Sequence, residues 1–249
     1  MNKILALCAF LVVSLFIWSF IPTSGVPIIA YHRVNDDHEI YSVSPTEFDG
    51  QMRYLAERGY TAVSLAELIN AREGKGNLPD KPIVITFDDG YADNLLNALP
   101  ILEKYRLKAT VFIISSSVGQ ETYLTWDQIR ELQARQTEIG SHTASHAALS
   151  ELELQGRESE VRTSKGVLEQ QLGTPVEFLA YPFGKYDAAM PDILQQAGYR
   201  GACTGVTGLN FIATNQYLLK RVNVPQPKYD LWEFRARLLR AHLYAKFGM

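Results

Sequence analysis

Apolar residues along this chain recur in two distinct ways. Short runs without polar alternation, at 26–31, 60–63, 82–87, 108–114, 138–140, 176–180, 199–203 and 218–224, read as strands buried on both faces. Between them apolar positions return at helical spacing behind capping signals. Ser44-Pro45-Thr46-Glu47 joins a capping box to a proline at the first helical position and predicts a helix burying Phe48, Met52 and Leu55, ended by Gly59. Ser64-Leu65-Ala66-Glu67 and Thr125-Trp126-Asp127-Gln128 repeat the box, and Ser150-Glu151-Leu152-Glu153 predicts the start of a long helix closed by Gly173 and Pro175. Further helices are predicted over 94–105, kinked at Pro100, near 193–197, and from Asp230 onward, while 32–43 reads as a loop. Seven or eight strand-helix units define an α/β protein. At 249 residues the alternation favours a distorted (β/α) barrel over an open sheet.

Ahead of this pattern, residues 4–21 are apolar except for Ser14 and Ser19 and follow a lone Lys3. About 18 such residues just span a bilayer, and no Ala-x-Ala site follows, so the run is predicted to be an uncleaved membrane anchor rather than a removed signal peptide. Lys3 keeps the amino end in the cytoplasm and sends the rest of the chain outward. The chain divides into this segment with its short linker, 1–25, and one domain over 26–249. The expected location is the cell membrane with the domain outside the cytoplasm, or, after cleavage, a secreted or periplasmic one. A hydrophobic content of 47% supplies a core without disulfides, and Cys203, remote from Cys8, reads as a small buried hydrophobe. The net charge of -3 argues against any general attraction to nucleic acid.

Chemistry concentrates at the end of the run Pro82-Ile83-Val84-Ile85-Thr86-Phe87-Asp88-Asp89-Gly90. A buried strand that stops at two carboxylates and a glycine is either a turn or a metal ligand beside a base. His142-Thr143-Ala144-Ser145-His146 offers two imidazoles at i, i+4, on one face of a predicted helical turn. A hydrolytic zinc site takes three nitrogen or oxygen ligands with a position left open, which two histidines and one carboxylate satisfy. His32, Asp88, Asp89, His142, Tyr181 and Arg221 all fall near the carboxyl ends of different predicted strands, the face on which barrel enzymes build their sites.

Thr86-Phe87-Asp88-Asp89-Gly90 together with the His142 to His146 motif resembles the first two motifs of the polysaccharide deacetylases, the NodB-homology group or carbohydrate esterase family 4. The resemblance covers most of the chain after Val26, including Lys108-Ala109-Thr110-Val111-Phe112, Trp126, Glu138-Ile139-Gly140-Ser141, Tyr181-Pro182-Phe183-Gly184 and Ala197-Gly198-Tyr199. It implies a NodB-like distorted barrel and a divalent metal, commonly zinc. It also implies a metal-dependent deacetylase acting on the N-acetyl groups of an N-acetylglucosamine-containing surface or extracellular polysaccharide, with an O-acetyl esterase or an inactive sugar-binding relative as alternatives. By position, Asp89, His142 and His146 would bind the metal, Asp88 would be the base, the Phe183 backbone N–H would meet the oxyanion, and Tyr181 and Pro182 would line the substrate site. The implied partners are an acetylated polysaccharide and, if the first segment is uncleaved, the membrane.

Two residues depart from the family pattern. Ala180 stands where an arginine usually orients the base, and Arg221 is the residue that could approach Asp88 from another strand. The late histidine that serves many members as general acid has no good counterpart, since His242 lies in a basic final helix. Ala30-Tyr31-His32-Arg33 instead looks like a circularly shifted arrangement that assigns the acid to His32.

Overall fold

The computed structural model describes residues 25–228 and 230–247. The apolar run 4–21 lies outside them, and among the described residues no helix is long and apolar enough to cross a membrane. In chain order the strands and helices are β1 (Ile28–Tyr31), β2 (Arg33–Val34), β3 (Ser42–Val43), α1 (Pro45–Glu57), β4 (Thr61–Ala62), α2 (Leu65–Arg72), β5 (Pro82–Phe87), α3 (Leu99–Lys104), β6 (Thr110–Ile113), α4 (Trp126–Ala134), β7 (Glu138–Ser141), α5 (Leu154–Leu172), β8 (Phe178–Ala180), α6 (Met190–Gln196), β9 (Gly201–Cys203), β10 (Val222–Asn223) and α7 (Asp230–Phe247). The capping boxes expected at Ser44, Ser64 and Thr125 all form, with each side chain accepting from the backbone three residues on. Ser150 caps nothing. It lies in a 3₁₀ turn, Leu149–Glu151, that buries Leu149, and α5 starts later behind Glu153 with no side-chain cap. Pro100 follows closely on a π-helical turn, Asn94–Ala98, that runs without a break into α3, so the irregularity lies just ahead of the proline.

The main sheet is all parallel in the order β10-β1-β5-β6-β7-β8-β9. Its two outer strands meet through the predicted 218–224 strand, which switches neighbours. Leu219 exchanges backbone bonds with β9, at 2.9 Å to Ala202 and 2.8 Å from Thr204, while β10, three residues on, pairs with β1. The sheet therefore curls into a distorted ring without regular alternation, since two helices precede β5 and none links β9 to β10. β4 pairs only with the start of β5. Val84 and Asp88 donate to β1, whereas Val63 donates to Ile83, whose carbonyl faces the opposite edge, the one β5 later shares with β6. β4 is thus a wedge between β5 and β6. The half-buried Glu138 carboxylate fills the gap beside it, accepting from the Leu65 and Ala66 amides at the mouth of α2 (2.9 and 3.0 Å) and from the Thr110 hydroxyl (2.7 Å).

Side-chain parity divides the core. Ile29, Tyr31, Ile83, Ile85, Phe87, Val111, Ile113, Leu179 and Tyr181 pack outward under the helices, while Ile28, Val84, Phe112, Phe178, Ala180, Cys203 and Leu219 pack inside the ring. Gly140 shares the inner face because a Cβ there would come within 2.4 Å of Phe112. Extending the inner parity past the strand ends gives His32 after β1, Asp88 after β5, His142 after β7 and Arg221 before β10. The fold delivers these four polar residues to one mouth.

Candidate active site

β1 and β5 are locked together beneath that mouth. Tyr31, Phe48 and Phe87 form an aromatic cluster with ring centroids 5.1 to 5.8 Å apart, and the Tyr31 hydroxyl donates to Gln51 at 2.6 Å. Each of the two strand residues in the cluster immediately precedes a polar group of the site. After Phe87, Asp88 continues the inward parity, and then Asp89 and Gly90 both take positive φ, 72° and 79°. Two consecutive left-handed residues turn the backbone so that neighbouring carboxylates face the same space.

Their environments differ. Asp88 is buried and gripped by Arg221, whose two terminal nitrogens donate at 2.7 and 2.8 Å to its two oxygens. Burial pulls the Asp88 carboxyl upward, but the charge and hydrogen bonds of Arg221 prevail and hold it well below the usual carboxylate range. Asp89 has no such partner. Burial, reinforced by repulsion from Asp88, raises it to about 6 despite the opposing pull of nearby His32. The buried Asp89 Oδ1 makes no hydrogen bond among the described residues and lies 3.4 Å from His142 Nε2 and 3.5 Å from His146 Nε2.

The two histidines do not ride on a helical turn. Residues 142–148 form an irregular loop in which Thr143 and His146 have positive φ, because side chains rather than helical hydrogen bonds shape it. Ser141 accepts from the Thr143 amide, Thr143 accepts from the His146 amide, and Glu160 of α5 holds Ser145. Nδ1 of His142 meets the carbonyl oxygen of Ala180 at 2.7 Å, which makes that nitrogen the donor and leaves the Nε2 lone pair facing Asp89. Burial lowers His142 to about 4 and also lowers His146, so both rings are neutral at physiological pH. Asp89, His142 and His146 present one ligand atom each within 4.8 Å of one another. An unbonded carboxylate oxygen among neutral imidazoles fits a divalent cation better than it fits any protein partner.

Further residues line the cleft. His32 places Nε2 4.0 Å from Asp88, stacks on Tyr41 with centroids 4.5 Å apart, and has a buried Nδ1 without a partner among the described residues. Phe183, 65% exposed, lies edge-on to His146 at 4.6 Å with φ of 58°, and its N–H makes no hydrogen bond among the described residues. Gly184 and Asn223 also line the space. Tyr181 and Pro182 do not reach it. Ala180 points inward, so parity turns Tyr181 outward, where it is fully buried and donates to the Tyr217 carbonyl. Pro182 is buried beside it, which leaves Phe183 and Gly184 as the residues of that motif facing the cleft. Tyr41 and Asn223 carry no sequence signal, since one lies in a loop and the other is an unremarkable strand residue.

A curled parallel sheet with an Asp-His-His cluster that could hold a metal ion at its carboxyl mouth, next to a separately held aspartate, defines a hydrolase-type α/β barrel. The polysaccharide deacetylase family profile matches residues 75–202, and the chain belongs to that family. YxkH of Bacillus subtilis (strain 168) is 32% identical over 201 residues, which cover 80% of this chain and 71% of the relative. The poly-beta-1,6-N-acetyl-D-glucosamine N-deacetylase of Staphylococcus aureus (strain MSSA476) is 27% identical over 207 residues, 76% of this chain and 70% of the relative. Among solved structures, the Streptococcus pyogenes deacetylase PplD, determined in complex with acetate, superimposes with a TM-score of 0.80 at 26% identity, covering 89% of this chain and 99% of PplD.

Proposed function

We propose that this protein is a metal-dependent hydrolase that removes N-acetyl groups from an N-acetylglucosamine-containing polysaccharide outside the cytoplasm. The observation that carries the reading is the division of labour between adjacent carboxylates: Asp88 is kept ionised by Arg221 and stands outside the metal cluster, while Asp89 turns an Oδ1 with no hydrogen-bond partner among the described residues into it. The polymer and the leaving acid are supported by the name of the Staphylococcus aureus relative and by the acetate bound to PplD.

Asp89, His142 and His146 would hold the ion, and zinc suits a donor set of two imidazoles and one carboxylate. When bound, such an ion polarises the acetyl carbonyl and acidifies water. Asp88 takes the proton of the attacking water, a task for which a carboxylate with both oxygens oriented by a buried guanidinium is preorganised. The free N–H of Phe183 donates to the oxygen that gains charge as the carbonyl carbon becomes tetrahedral. His32, near Asp88 on the other side of the cleft, returns a proton to the departing amine nitrogen as the C–N bond breaks. The products are acetate and a free amine on the sugar.

The test is acetate release from N-acetylglucosamine oligomers by the full chain, measured before chelation, after it, and after zinc is restored. Release should stop with chelation and return with zinc, and Asp88→Asn should lower kcat by about 10²- to 10⁴-fold. Release indifferent to the chelator, or an Asp88→Asn variant at full rate, would remove the reading.

A further inference from the structure

We propose that Asp93, Asn94 and Asn97, on the turn that follows the acidic pair, are positioning residues for His32. The inference rests on the reading of His32 as the proton donor.

The β1–β5 ladder ends where the Asp88 amide donates to the Tyr31 carbonyl at 2.9 Å, one residue short of His32. Beyond that point the Arg33 amide donates to the Tyr41 carbonyl at 3.2 Å as β2 pairs with β3, while the His32 carbonyl and the amide and carbonyl of Val34 find their partners on the 93–97 turn. Asn94 Nδ2 donates to the His32 carbonyl at 2.8 Å and Asn97 Nδ2 to the Val34 carbonyl at 2.7 Å. Asp93 accepts from the Val34 amide at 3.1 Å, from Asn35 Nδ2 at 2.8 Å and from Arg33 Nε at 3.3 Å. Asp93 and Asn94 are themselves buried, and Asn94 Nδ2 also donates to Asp93 at 3.1 Å. The turn is π-helical over Asn94–Ala98, and the wider turn is the kind of local irregularity found at functional sites.

The His32 ring itself needs this support. A proton-transferring imidazole is ordinarily oriented by a hydrogen bond to its second nitrogen, yet His32 Nδ1 has none among the described residues. Its direction is therefore set by where its backbone is held and by the face of Tyr41. The segment that holds it descends directly from Asp88 and Asp89. One stretch, 88–97, thus fixes the base, a metal-cluster carboxylate and the donor relative to one another, where a displacement of about 1 Å costs on the order of 10²-fold in rate.

The experiment is a double-mutant cycle in the full chain between Asn94→Ala and His32→Ala, read on N-acetyl oligomers and on p-nitrophenyl acetate, whose leaving group needs no proton. Asn94→Ala should lower kcat on the oligomer about tenfold or more with KM within about twofold. It should slow the ester far less, leave zinc affinity unchanged, and add nothing in the His32→Ala background. Asn97→Ala, which releases only the Val34 carbonyl, should give the same signature at smaller amplitude and serves if Asn94→Ala does not fold. A His32-dependent enzyme in which Asn94→Ala slows amide and ester equally, or adds fully to His32→Ala, would overturn the clamp alone. Full-rate amide hydrolysis by His32→Ala would overturn the role of His32 and the clamp with it.

Discussion

Arg221 reaches Asp88 across 133 residues of sequence and meets it with two parallel N–H···O bonds of 2.7 and 2.8 Å, while its Nε donates to the Thr204 carbonyl at 3.0 Å. The strand that carries Ala180 offers no cation, and the guanidinium comes instead from the segment entering β10. Both partners are buried, so removing one strands a charge. Arg221→Met should cost about 3–5 kcal/mol in chemical denaturation, and Arg221→Lys, which keeps charge but loses the fork, should still lower kcat by about tenfold or more. The sign with pH follows. A folded-state value held below the unfolded carboxyl gives stability that is complete above about pH 4 and is lost as pH falls further, and Arg221→Met, which leaves the upward pull of burial in charge, should reverse that dependence. A Met variant as stable as the parent at pH 7 would contradict the account.

Metal affinity should respond to a different group. In the metal-free protein Asp89 is raised to about 6 by burial first and repulsion from Asp88 second, while His142 stays neutral down to about 4. A proton on Asp89 competes directly with a cation. Zinc affinity by calorimetry should be flat above about pH 6.5 and fall about tenfold per unit from 6 toward 5, as expected for one displaced proton. Asp88 remains ionised throughout this range, so loss of turnover on acidification should track loss of metal and be reversed by excess zinc. A pH-independent zinc affinity between 5 and 7 would exclude Asp89 as a ligand.

Much of this site is legible in strand parity. Val84, Thr86 and Asp88 alternate inward, as do Gly140 and His142, or Leu219 and Arg221, and the same count turns Tyr181 outward, so its absence from the cleft is already implied by Ala180 beside it. Parity ends with the strands, however. The positive φ values of Thr143 and His146 belong to a loop held in part by tertiary hydrogen bonds, such as Ser145 to Glu160, that no local pattern announces. The same limit hides the clamp on His32, because Asp93 and Asn94 look like ordinary polar residues at a helix start until His32 and β2 are laid beside them. Ser150 shows the converse error. A complete capping pattern is set aside when burial of Leu149 fixes the turn first.

The wedge made by β4 depends on one carboxylate. Glu138 lies at the closed end of the ring, and its two oxygens receive two helix-terminal amides and the Thr110 hydroxyl. Glu138→Ala would leave those donors buried and unpaired, at a cost of about 1–3 kcal/mol for each that finds no water. Glu138→Gln should cost less, since one oxygen still accepts while its NH₂ faces a donor. The mouth is at the other end, so both variants should keep kcat near the parent value at temperatures where they are folded. Loss of turnover without loss of stability would show that the wedge does more than hold β4.

Gly90 is the last residue that the metal cluster requires of the backbone. Its φ is 79°, and a Cβ would come within 2.8 Å of the Ile113 side chain, whose flexible Cδ1 can yield. Two costs therefore separate. Strain from a left-handed alanine is about 1–2 kcal/mol and cannot be relieved by repacking, whereas the contact can. Gly90→Ala should lower stability by about 1–3 kcal/mol and weaken zinc binding, because the turn that aims Asp89 shifts with it. Adding Ile113→Val should restore the part due to crowding and leave the rest. Full recovery of stability and zinc affinity in the double variant would mean that crowding alone, and not the left-handed backbone, fixes glycine at this position.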